Sequence, residues 1–209
     1  MRVLLIDLDA QASSSSAILG HKSVIQAIAE RRTSVDLINQ LRAKKQAPAN
    51  LADFLTIRAA TDARGSALAE IHVLVPDGAR QFELEEQLSP RKDSTLFLNL
   101  LKPALQEYDY VIIDHPANIG KRSLVPINGL AMSDVVLVPV RPTRISVGGL
   151  PRTLDMIEHA QTVSGNGGPT LMGFLLNATD RRHQQYRSNL QKYVEKSFEE
   201  SLPPVFENV

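Results

Sequence analysis

Two acidic patterns in the chain have the form of a chemical site. In Leu4-Leu5-Ile6-Asp7-Leu8-Asp9-Ala10-Gln11 an aliphatic run ends in two carboxylates two residues apart, which share a face if the extended chain continues through them. In Val111-Ile112-Ile113-Asp114-His115-Pro116 a second aliphatic run ends in an acid, and the proline stops the strand. Carboxylates so placed suit a hard cation, because magnesium keeps several waters and is held by one or two carboxylates together with substrate phosphates. A single acid after a strand serves as readily to cap the next turn or helix. Two in one sheet favour a shared site. His115, beside Asp114, either packs as a passive neighbour or makes the site sensitive to pH, since an imidazole ordinarily titrates at about 6.5.

The elements that must position these acids follow from hydrophobic patterning. Continuous aliphatic runs at Val3–Ile6, Ile71–Val75, Tyr110–Ile113, Val135–Val140 and Thr170–Leu176 are of the kind buried on both faces of a parallel sheet. Apolar residues at helical spacing occupy Ser13–Leu19, Thr33–Ala43, Thr95–Gln106, Val147–Gln161 and Gln184–Phe198, with Pro103 and Pro151 expected to kink or start their segments. The run Ser13–Ser16 is expected to cap and start a helix. The stretch from Ala43 to Gly65 has the weakest periodicity and is expected to be a surface excursion with one short helix. Alternation of strand and helix implies an α/β fold: a doubly wound, mostly parallel sheet with helices on both faces, as one domain over residues 1–209. In such sheets ligands sit at the carboxyl ends of the strands, where Asp7, Asp9 and Asp114 fall.

Composition excludes several classes. The 209 residues are 43% hydrophobic and 22% charged, which supports a packed core and excludes a disordered or fibrous chain. The 23 Lys and Arg cancel the 23 Asp and Glu, so a nucleic-acid contact would need a local patch. With no Cys there is no disulfide framework, thiolate metal site or cysteine nucleophile, and the expected compartment is the reducing cytoplasm. No apolar run approaches the roughly 20 residues of a membrane span, so no membrane partner is expected. The five His have no zinc-type spacing, and neither G-x-S-x-G nor G-x-G-x-x-G occurs. Arg181, Arg182, Arg187, Lys192 and Lys196 could touch DNA phosphates, but Glu195, Glu199 and Glu200 are interleaved with them, as on a solvated helix face.

The chain from Arg2 to Ser16, RVLLIDLDAQASSSS, resembles the segment after the first helix of the ParA/MinD group of deviant Walker ATPases, in which a strand ends in D-x-D followed by Gln and small polar residues. Tyr108 to Pro116, YDYVIIDHP, resembles their Walker B segment. Asn128–Ala131 and Ser133–Val140 are similar to the helix and strand that follow, Gly148-Gly149-Leu150 to the start of the next helix, and Gly173–Asn177 through Asp180-Arg181-Arg182 to a late strand and its loop. The matches cover most of residues 1–16 and 70–200 in the family's order, and are closer to the ParA partition members than to MinD.

The resemblance implies a P-loop NTPase-like fold and, in a complete form, ATP-dependent dimerisation and segregation of DNA or another cargo. It assigns Asp9 to the water that attacks the γ-phosphate, Asp7 and Asp114 to magnesium through its waters, and Asn177 to the adenine edge. It further implies ATP and Mg2+ as cofactors, a homodimer, non-specific DNA and a ParB-like partner protein. The family's phosphate loop, with its first strand, has no counterpart: the one Gly-Lys pair, Gly120-Lys121, lacks the glycine five residues earlier that G-x-x-x-x-G-K-S/T requires. Gly120 and Lys121 are expected in the loop after Asp114. The chain is accordingly expected to be incomplete at both ends and to bind ATP poorly as it stands. The alternative is a ParA-like interaction or scaffold protein that has lost hydrolysis.

Overall fold

The aliphatic run that opens the chain forms β1 (Arg2–Asp7), whose buried Leu4, Leu5 and Ile6 lie between two parallel neighbours, β3 (Ala67–Leu74) and β4 (Tyr110–Asp114). This computed structural model describes residues 1–61, 64, 67–116, 123–141, 143, 146, 148–165, 168–177, 188, 192 and 205–207. They fall into two compact units, Met1–Met132 and Ser133–Val209. In the first the sheet order is β2-β3-β1-β4, with β2 (Thr56–Thr61) antiparallel to β3. Register places Leu4 beside His72 and Val111, and Asp7 beside Asp114.

Alternation along β1 sorts its side chains between two cores. Leu4 and Ile6, with Leu8 just beyond, join Leu37, Ile38 and Leu41 of α3 (Ser34–Lys44), Leu84 of α4 (Gly78–Gln87), Phe97 and Leu101, and Leu124, Val125 and Met132 of α6 (Leu124–Met132). On the opposite face Leu5, Val73 and Val75 meet Val24 and Ala27 of α2 (His21–Ala29), with Ile18 and Leu19 of α1 (Ser13–Leu19) packed against them. Each full burial of such a side chain contributes about 2 kcal/mol, and a one-residue slip of β1 would exchange its faces, so the register is strongly specified. At the edge of this sheet β4 packs Val111 and Ile113 against the first core and leaves Tyr110 63% and Ile112 56% exposed.

In the second unit β5 (Val135–Val140), β6 (Thr170–Leu176) and β7 (Val205–Glu207) pair in parallel in that order. Helix α7 (Leu150–Ser164) buries Leu150 and Ile157 against Val138, Val140, Phe174 and Leu176. The register shifts between Val136 and Leu137, where Gly173, at φ 154°, stands opposite Leu137. No helix among the described residues is long and apolar enough to cross a membrane.

Mixed, mainly parallel sheets with helices bear out the α/β expectation, and several elements differ from it. The surface excursion holds its short helix, a 3-10 turn at Leu51–Phe54, but then forms strand β2. The single helix expected over Thr95–Gln106 is instead a π-turn at Phe97–Leu101, closed by Lys102 N donating to Phe97 O, followed by a 3-10 turn at Lys102–Leu105. Pro103 is the cause, since it has no N–H to continue an α-helical ladder. The expected helix Gln184–Phe198 and the basic cluster on it lie almost entirely outside the described residues, as do Gly120 and Lys121. Helices α2 and α4, and the short α5 (Pro90–Asp93), carried no helical expectation.

Helix α6 is buried at all nine positions, and Asn128 pins it there. Its Oδ1 accepts from Phe97 N at 3.0 Å, and its Nδ2 donates to Asp93 O at 2.6 Å and Leu124 O at 2.8 Å. Asn128→Ala leaves a buried N–H without its acceptor and is expected to cost about 2–4 kcal/mol in urea unfolding. A loss below about 1 kcal/mol would show that the site relaxes around the substitution.

Candidate functional site

Asp7 ends β1 at 0% exposure, and its donors, Asp9 and Ser15, are near neighbours in the chain. Its Oδ1 accepts from Asp9 N at 3.1 Å, and its Oδ2 from Ser15 N at 2.9 Å and Ser15 Oγ at 2.7 Å. Burial raises the Asp7 pKa; the Ser15 and Asp9 hydrogen bonds oppose that shift, while nearby Asp114 adds to it. Ser14 Oγ donates to Asp114 Oδ2 at 2.6 Å, and Leu8 N to Asp114 O at 2.9 Å, so α1 and the turn before it lash the two strand ends together.

Asp9 is half-exposed on that turn. Its Oδ1 accepts from Gln11 N at 3.1 Å and its carbonyl from Ala12 N at 2.9 Å. Asp7, Asp9 and Asp114 therefore converge at the carboxyl ends of paired strands. Asn177 belongs to the second unit, where it follows β6, is exposed, and donates its backbone N–H to Val140 O at 2.9 Å.

The serine run does not cap its helix as expected. The N-cap is Ala12, in the left-handed region at φ 53°, with no side-chain cap bond. Ser14 and Ser15 instead satisfy Asp114 and Asp7, because the left-handed turn brings the start of α1 back over the strand ends. Sequence reasoning missed this role, and the only signal for it was the hydroxyl run that begins four residues after D-x-D.

His115 keeps a partly exposed edge, but its Nδ1 is enclosed without a hydrogen-bond partner. Burial lowers its pKa to about 4, against a smaller opposing pull from Asp114. Among the described residues no group of three or more His, Asp or Glu side chains is arranged to hold a metal directly. Two half-exposed carboxylates with a hydroxyl beside them fit a hydrated magnesium rather than a dehydrated one.

A family model for an AAA domain matches residues 1–166. The chain is 27% identical over 215 residues to the chromosome partitioning protein ParA of Myxococcus xanthus, covering 97% of this chain and 64% of that protein. It spans between 54% and 66% of the length of the curated relatives it matches. Among solved structures, pNOB8 ParA bound to nonspecific DNA superposes with a TM-score of 0.69 at 19% identity, over 100% of this chain and 75% of that one. Cobyrinic acid a,c-diamide synthase from Mycobacterium smegmatis, with bound ATP analogue and magnesium, gives 0.64 at 21% identity, over 95% and 68%.

The depressed His115 pKa fixes a sign. Above about 6.5 the imidazole is neutral in both folded and unfolded chains; as pH falls toward 4 the unfolded chain takes up the proton first, so stability is lost. Relative to His115→Gln, the parent is expected to lose at most about 3 kcal/mol between pH 6.5 and 4 in urea unfolding. Parallel stability curves for the two proteins would refute this.

Proposed function

This chain belongs to the ParA/MinD-type P-loop ATPases of the AAA-domain family, and we propose that its complete form is an ATP-dependent partition or cargo-positioning protein. The observation that carries this reading is the convergence of Asp7, Asp9 and Asp114 at the carboxyl ends of two parallel strands, with Asp7 and Asp114 in register.

The environments divide the work. Asp7, sealed by Ser15, anchors the turn and adds negative potential behind the site. Asp114, steadied by Ser14, would hold a magnesium ion through water, with Asp7 behind it. Asp9, half-exposed on a turn fixed at both ends, orients the attacking water. A magnesium ion held there would supply charge neutralisation on the phosphates. Little else is required, because positioning and electrostatic stabilisation supply nearly all the catalysis of phosphoryl transfer. Asn177, at the end of a parallel strand, reads the adenine edge.

In the complete protein, ATP bridges two copies, the dimer binds DNA without sequence preference, and a ParB-like partner stimulates hydrolysis. The partitioning role of the M. xanthus relative and the ParA structure bound to nonspecific DNA support the partition and DNA-binding parts of this reading. For the complete form, calorimetric titration of magnesium and ATP is expected to give saturable binding that Asp9→Ala leaves within about twofold, while hydrolysis falls about 100-fold or more. Unchanged turnover in Asp9→Ala would overturn the role of Asp9. No binding at millimolar nucleotide would favour the alternative, an interaction protein without hydrolysis.

A further inference from the structure

Helix α4 touches the stretch that follows β1 without contributing to the acid cluster. At its start, a Cβ added to Gly78 would come within 2.4 Å of the Ala10 carbonyl oxygen, so the two backbones meet as closely as they can. One turn on, the buried amide of Gln81 donates to Leu8 O at 3.0 Å. These contacts hold the Leu8–Ala10 stretch on which Asp9 rides. Near the far end of α4, the Glu85 carboxylate accepts from Leu124 N at 2.7 Å and Val125 N at 2.9 Å, the opening turn of α6.

Helix α6 returns to Leu8 and also reaches the end of β4. A Cβ on Gly129 would lie 2.6 Å from Leu8 Cδ1, 2.8 Å from His115 Cε1 and 3.1 Å from Ile113 Cγ2. The contacts thus close a ring, from Leu8 to α4, through Glu85 to α6, and back to Leu8 and the two residues flanking Asp114. An α-helix of ten residues is about 15 Å long and stiff beside the turns it joins, so a displacement at one end is carried to the other. Two N–H groups at the start of a helix need an acceptor, and here it is supplied from 39 and 40 residues away. A cap of that kind fixes one element to another as well as ending a helix.

We propose that Glu85 is a positioning residue, which through α4 and α6 holds the Asp9 turn and the Asp114 strand end in one arrangement. The use of that arrangement in phosphoryl transfer rests on the function proposed above; the mechanical coupling rests on geometry alone. Glu85 touches neither acid, so its effect is read at a distance.

Amide hydrogen exchange on the full chain tests the coupling. Glu85→Gln is expected to speed exchange about tenfold across residues 8–12 and at 114 and 115 as well as at 124, 125 and 127, with β3 amides unchanged. Glu83→Gln, on the exposed face of the same helix, is expected to change none of these. Acceleration confined to 124–127 would reduce Glu85 to a local cap and overturn the proposal. If Glu85→Gln does not fold, Gln81→Ala decides: faster exchange at 124–127 supports the ring, and a response limited to 8–10 refutes it. Exchange needs no nucleotide, so failure to bind ATP would remove the ATPase reading and leave this comparison intact.

Discussion

A carboxylate without access to water organises this site. Burying Asp7 is costly, and the cost is offset only while Ser15 and the Asp9 amide keep donating to it. That requirement dictates the left-handed Ala12, the return of α1 over the strand ends, and the placement of Ser14 against Asp114. The exposed acids are presented by a turn with little freedom of its own, and the least accessible residue of the cluster sets where the accessible ones stand.

A second constraint is close packing behind the strands. Gly78 and Gly129 stand where any side chain would collide with the Ala10 carbonyl or with Leu8 and His115. Both helices approach to backbone distance for that reason, and neither position tolerates the usual drift between alanine and glycine. Asn128 and Glu85 then satisfy backbone groups that such close burial would otherwise strand. Polar side chains in this unit answer to the packing of helices already forced together.

The parts legible in the sequence were those with strong local signals. Ser13–Leu19, Val135–Val140 and Thr170–Leu176 fall at the expected bounds because aliphatic runs and helical spacing leave little choice. Helix α6 gives no such signal on its own: Leu-Val-Pro-Ile-Asn-Gly-Leu-Ala-Met is buried all round, so there is no polar face to produce a period. Strand β2, Thr-Ile-Arg-Ala-Ala-Thr, is an edge strand rich in small and polar residues, which hides its pairing. At the site the acids were visible by type and spacing. The bond from Ser14 to Asp114 spans 100 residues, and no local pattern can announce it.

The outer strand of the first sheet has a consequence for the behaviour of the chain in solution. Tyr110 to Ile113 carry no lysine, proline or inward charge, the devices that normally keep an exposed edge from recruiting another backbone. With Tyr110 and Ile112 also bare on one face, this border is adhesive along both its hydrogen-bonding and its apolar directions. With net charge zero, the surface offers little long-range repulsion to keep another backbone from that border.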